Sequence, residues 1–304
     1  HPLRDSFANR YNFKFVLLAL LGATMGQGVV WYTGQFYALS FLQNTLKIDV
    51  AQASQLIMIA LLFATPFFVF FGWLSDQIGR KWIMLTGMLL AVICYRPLYS
   101  AMYEIGISAG NGEIQPGLLL NDFQFWKMVL LVFIQVLFVT MVYGPIAAFL
   151  VELFPTRIRY TSMSLPYHVG NGIFGGLLPA IATYLSTRAI QMNDVAIKNG
   201  VTPTYEETYL EGLWYPIVIA VISFIIVALY IKERKNDVIQ VVERILKVLL
   251  GHPNQANQIN NESSTILVAH DISPADALQF KKHIKALARH QKAIILSDYG
   301  KLDL

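Results

Sequence analysis

Six apolar stretches, near residues 14–42, 53–74, 82–102, 124–151, 162–188 and 213–231, are each long enough to cross a bilayer, which takes a helix of about 20 residues. Few folds tolerate such a pattern. In lipid every backbone N–H and C=O needs an internal partner, so each stretch is expected to be helical. Only 14% of the residues are charged, against roughly 25% in soluble domains. The charges that remain are therefore informative. No basic stretch interleaved with aromatic residues points to nucleic acid. The single cysteine, Cys94, excludes an internal disulfide and a multi-cysteine metal site. No metal or cofactor is expected.

Basic residues set the expected orientation. Arg4, Arg10 and Lys14 precede the first helix, Arg80 and Lys81 lie in one short connection, and Arg157 and Arg159 lie in another. Lys232, Arg234 and Lys235 follow the sixth helix. The longer connections, 103–123 and 189–212, hold Glu104, Glu113, Asp122, Asp194, Glu206, Glu207 and Glu211. By the bias of Lys and Arg toward the cytoplasmic side, both termini and both short connections are expected there. That placement suits a bacterial inner membrane.

One short connection is unusually dense. "GWLSDQIGRK", Gly72 to Lys81, packs Asp76, Gly79, Arg80 and Lys81 between two apolar helices. A basic loop alone would set topology, but topology needs neither the aspartate nor the two glycines. The spacing G-x-L-S-D-x-x-G-R-K resembles the loop signature of the major facilitator superfamily. The resemblance implies that Gly72 lets two helices approach closely, that Asp76 faces a helix N-terminus or a basic residue, and that Arg80 ties down the loop. A carboxylate gains from a helix N-terminal dipole, which supports that reading.

A second string, "YGPIAAFLVELFPTRIRYTSMSLPYHVGNGIFGG" from Tyr143 to Gly176, resembles the tenth-to-eleventh helix region of the metabolite:proton symporters. That branch includes carriers of α-ketoglutarate, shikimate, citrate and proline/betaine. "GATMGQGVVWYTGQFYALSFLQ", Gly22 to Gln43, resembles their seventh helix. The "PETK" string that sugar porters carry after their last helix is replaced here by "IKERKND", which weakens a sugar-porter reading. Carriers of this type have two six-helix halves. The chain begins at His1 rather than Met, so it is expected to be the C-terminal half, with an N-terminal six-helix half missing.

Polar residues inside membrane helices are costly and mark function. Thr24, Gln27, Trp31 and Gln35 recur at three- and four-residue steps and should share one face of the first helix. Gln27 falls near the midplane, where carriers bind solute, and Gln135 lies at similar depth on the fourth helix. Tyr143 lies two turns from Gln135, and Ser164, His168 and Asn171 share a face of the fifth helix. The expected solute cavity is Gln27, Trp31, Gln35, Gln135, Tyr143 and Asn171; hydrogen bonding between helices is the alternative role. His168 is the one histidine within the bundle and the candidate for proton coupling, because its side chain titrates near physiological pH. Glu152, Arg157 and Arg159 join Gly72, Asp76, Gly79, Arg80 and Lys81 as an expected cytoplasmic gate, with Arg80 paired to Glu152 and Asp76 facing Arg157, Arg159 or a helix N-terminus.

Beyond Lys232 the composition changes. Residues 1–232 form the expected six-helix half-carrier. Residues 233–262 hold an amphipathic helix, "NDVIQVVERILKVLLG", and a polar linker. Residues 263–304 read as a small cytoplasmic βαβ-like tail, with strands in "STILVAHD" and "KAIILSD" around a helix capped at Ser273–Pro274. The fold class is thus an all-α membrane protein, half of a twelve-helix bundle, with an α/β tail. The function that follows is a secondary carrier, a proton symporter of a small organic acid or betaine-like solute, whose partners are the bilayer, the solute, protons and the missing half. Alternatives are a half-sized carrier or channel working as a homodimer, or a sugar-porter-like carrier. A channel would show rings of like charge or pore-loop motifs. An enzyme would show paired intramembrane acids, a Ser/His nucleophile pattern or a metal set, and neither set of features is visible.

Overall fold

Each of the six apolar stretches folds as one helix in the computed structural model, which describes residues 7–8, 10–154, 159–231, 266–269, 294–297 and 300–301. The helices are α1 (Asn12–Thr45), α2 (Val50–Ile78), α3 (Arg80–Ala109), α4 (Asp122–Leu153), α5 (Arg159–Lys198) and α6 (Thr208–Tyr230), all long and apolar enough to cross a membrane. Several run past the predicted ends. α3 continues through Glu104 to Ala109 and α5 through Asp194 to Lys198, so part of each acidic connection is helical.

Local chemistry fixes the helix ends. Asp49 caps α2, its Oδ1 accepting from the backbone N–H groups of Ala51 and Gln52 at 3.0 Å. Asn121 and Gln124 form a reciprocal capping box at the start of α4. Gln52 then pairs its side-chain amide with both backbone groups of Leu120 (3.0 and 2.8 Å), tying the α3–α4 connection to α2. A single residue, Gly79, separates α2 from α3, with φ at 105°. Only glycine adopts that backbone readily.

α4 packs against both α2 and α3, while α1 packs against α5 and α6. The core between them is filled by large side chains such as Phe41, Met84, Met88, Tyr95 and Tyr99, all fully buried. α1 and α5 cross with almost no side chain between them. A Cβ on Gly28 would lie 2.7 Å from the Gly170 carbonyl oxygen, and one on Gly170 would lie 2.5 Å from Thr24 Oγ1. Thr24 uses that closeness to donate to the Pro166 carbonyl at 2.8 Å.

α1 is not evenly wound. Residues Ala19–Thr24, Thr33–Tyr37 and Phe41–Thr45 form wide turns bonded i to i+5, and Gly170–Gly175 does the same in α5. Such turns insert residues into the winding and shift every later side chain around the axis. The even stripe expected from Thr24 to Gln35 therefore breaks between Trp31 and Gln35.

Residues 1–232 and 233–304 form two compact units. In the second, strand Ile266–Ala269 pairs in parallel with Ile294–Ser297, which pairs antiparallel with Gly300–Lys301. The expected amphipathic helix, the linker and the helix capped at Ser273 lie outside the described residues.

Candidate solute site and charged corner

Two groupings of the predicted residues form, at different places in the bundle. The first centres on Trp31 of α1. Its ring lies 4.4 Å from that of Tyr143 on α4 and 6.2 Å from that of Phe68 on α2. Tyr143 shares a hydrogen bond of 3.0 Å with the Tyr167 hydroxyl on α5. Together with Leu150 and Met163 these residues line an open depression of about 600 Å³. Its lining is apolar apart from the two tyrosine hydroxyls and the Trp31 indole N–H, and no cationic side chain among the described residues lines it. Four helices contribute, so relative movement of any of them changes its shape.

Gln27 and Gln135 are placed differently from expectation. Both are fully buried and stand within the packed helices rather than on the depression. Gln27 Oε1 accepts from Asn171 Nδ2 at 3.0 Å, and Asn171 Nδ2 also reaches the Tyr167 carbonyl at 3.0 Å. Gln27 Nε2 has no hydrogen-bond partner. Gln135 Nε2 contacts Met102 Sδ at 3.3 Å and the Leu131 carbonyl at 3.4 Å, leaving its Oε1 unpartnered. Gln35 is half-buried, and its side chain makes no hydrogen bond among the described residues; it lies in the wide turn that opens at Thr33. His168 is exposed on the unit's surface with its ring 5.9 Å from Tyr167. Ser164 is exposed beside it.

The second grouping is the charged corner. Arg80 bridges Asp76, at 2.9 Å from Oδ1, and Glu152 of α4. The contact between Arg80 and Glu152 is the expected one. Asp76 meets a basic residue at a helix N-terminus, Arg80 at the start of α3 one turn along, because α2 and α3 meet at Gly79. Arg159 Nε instead donates to the Phe154 carbonyl at 3.2 Å, and Arg157 lies outside the described residues. Lys81 also points elsewhere. Its Nζ donates to the Ala228 and Ile231 carbonyls at 2.9 and 2.6 Å, closing the C-terminus of α6, where cations are favoured.

Gly72 is not the tight contact the loop signature implies. A Cβ there would sit 4.0 Å from the nearest atom, the Gly144 carbonyl oxygen; one on Gly144 would meet the Phe68 carbonyl oxygen at 3.1 Å and the Thr140 carbonyl oxygen at 2.8 Å. The close approach of α2 and α4 thus rests on Gly144. A second ionic cluster joins α3 to α6. Arg96 lies 3.5 Å from Glu207 and 3.7 Å from Glu211, with its guanidinium 5.1 Å from the Trp214 ring. Nothing in the sequence alone joins Arg96 to these two acids. Phe68 was also missed, because a phenylalanine in an apolar run carries no signal. No group of three metal-ligating side chains forms among the described residues.

Comparison with known proteins adds an independent line. The family model described as Major Facilitator Superfamily matches residues 16–287. The chain is 27% identical over 224 residues to the alpha-ketoglutarate permease of Escherichia coli (strain K12), covering 74% of this chain and 43% of the permease. It is 25% identical over 183 residues to a candidate proline/betaine transporter of Staphylococcus aureus (strain COL), covering 59% of this chain and 34% of that protein. A short segment is 52% identical over 60 residues to a phosphoenolpyruvate-protein phosphotransferase of Cupriavidus necator, covering 17% of this chain and 10% of that enzyme. The chain spans less than half the length of the curated transporters it matches. No solved structure matches it.

Proposed function

The chain belongs to the Major Facilitator Superfamily, and from that premise we propose that it forms half of a secondary transporter moving a small organic acid or betaine-like solute with protons. Members of this superfamily are transporters rather than enzymes. Relatives named for α-ketoglutarate and for proline/betaine support the solute class. A second six-helix half completes the carrier, and the uncovered apolar surfaces of α2 and α5 accommodate it and lipid. Alternating access then rocks one half against the other around the solute. Both ends of the 1–232 unit lie on the cytoplasmic side of a bacterial inner membrane, because the short connections carry the basic residues.

The observation that carries the solute reading is the aromatic wall of Trp31, Tyr143 and Phe68 on a depression that no cation among the described residues lines. Aromatic faces hold methylated ammonium groups by cation–π attraction, which favours a betaine-like solute on this half. A carboxylate needs a charged or amide partner; Gln27 Nε2, buried among the packed helices away from the depression, would serve only after helix movement uncovers it. The expected result is uptake of glycine betaine or α-ketoglutarate by proteoliposomes of the longer protein, driven by an inward proton gradient. Uptake of neither solute, or uptake indifferent to a protonophore, would overturn this reading.

A further inference from the structure

We propose that Tyr95 and Tyr99 of α3 are positioning residues for Trp31, and that through it they set solute affinity; the affinity part rests on the function proposed above. The two tyrosines are four residues apart, on one face of α3, and both are fully buried. Tyr95 donates its hydroxyl to the Val30 carbonyl at 3.3 Å and Tyr99 donates to the Thr33 carbonyl at 2.9 Å. Val30 and Thr33 bracket Trp31. The backbone that presents Trp31 is therefore held by α3, while its ring meets Tyr143 of α4 and Phe68 of α2.

A buried tyrosine needs some hydroxyl partner, so one such bond would be ordinary packing. Two bonds directed at one turn of α1, the turn that carries Trp31, are a more particular arrangement. Thr33 also opens the wide turn Thr33–Tyr37. Wide turns disturb the regular i to i+4 bonding: the Thr33 carbonyl accepts from the Ala38 backbone N–H five residues on, and the Tyr99 hydroxyl is a second donor to it that holds this geometry. Without that second donor, regular winding competes with the wide turn, and gain or loss of one residue rotates the adjoining helix by about 100°. Trp31 stands at the edge of that change.

Tyr99→Phe and Tyr95→Phe test this in the full protein, each keeping the ring and removing the donor. The first readout is Trp31 fluorescence in a background with Trp73, Trp82, Trp126 and Trp214 replaced by Phe. The emission maximum is expected to shift in Tyr99→Phe, with a smaller shift in Tyr95→Phe. The second readout is uptake of glycine betaine, where KM is expected to rise roughly three- to tenfold, the scale of one hydrogen bond, with the maximal rate unchanged at equal abundance. In a Trp31→Phe background the same hydroxyl removal should leave KM unaltered, since coupled residues are non-additive. Unchanged Trp31 emission in both variants, or an equal KM rise with and without Trp31, would overturn the proposal. A parent protein that takes up no solute overturns the transport reading alone, and the emission still decides the positioning of Trp31.

Discussion

Gln27 illustrates how a single side chain can be wrong for stability and right for function. Its Oε1 is paired with Asn171, but its Nε2 is buried without a partner. A buried donor left unpaired costs about 1–3 kcal/mol, so an apolar side chain of similar size should be tolerated by the fold. We expect Gln27→Leu to melt within about 1 kcal/mol of the parent while losing most of its solute affinity. Equal affinity in parent and variant, measured by uptake kinetics, would assign the amide to packing. A second expectation concerns Trp31→Ala, which removes one wall of the depression and should weaken binding at least tenfold, about 1.4 kcal/mol. Gln27 and Trp31 were both legible in the sequence, because polar and aromatic residues stood out in an apolar helix. Asn171 and Tyr143 stood out as well, but which residue pairs with which did not. Nothing in spacing joins Gln27 to Asn171 across 144 residues, and nothing marks Phe68 or the backbone contacts of Tyr95 and Tyr99.

At the scale of elements, hydropathy revealed the six helices because a membrane span leaves so little freedom in composition. Their internal winding was hidden. Even spacing does not foresee the wide turns of α1 and α5, and a stripe drawn with it ran through the turn that opens at Thr33 to reach Gln35. The crossing of α1 and α5 gives a sharper test of what the glycines do. Gly28→Ala or Gly170→Ala places a methyl group 2.7 or 2.5 Å from the opposing helix, whereas Gly172 has nothing within 4 Å of its missing Cβ. Overpacking of this kind costs typically 1–3 kcal/mol. Thermal unfolding in detergent should show both of the first two variants destabilised and Gly172→Ala near the parent. Three equal melting temperatures would mean that α1 and α5 slide apart freely.

At the scale of the whole molecule, the proposed orientation makes opposite predictions for the two ends of the bundle. Gln77, in the last turn of α2, and Glu113, in the α3–α4 connection, are both exposed. In a background lacking Cys94, a membrane-impermeant maleimide applied to intact cells should label Glu113→Cys and spare Gln77→Cys. The reverse pattern would invert the topology. α3 also has a consequence at this scale. Each of its two arginines faces two carboxylates: Arg80 faces Asp76 and Glu152, and Arg96 faces Glu207 and Glu211. One cation shared by two anions has a surplus of suitors. Neutralising one acid leaves a matched pair, so Asp76→Asn or Glu152→Gln should change stability by no more than the 0–1 kcal/mol of an exposed pair. Removing Arg80 leaves two carboxylates facing each other, and Arg80→Ala should be the more damaging change in both abundance and transport. A guanidinium carries five donors, enough to release one carboxylate while keeping the other. Movement at either arginine of α3 can then proceed by exchange of partners, without a step in which a charge stands alone.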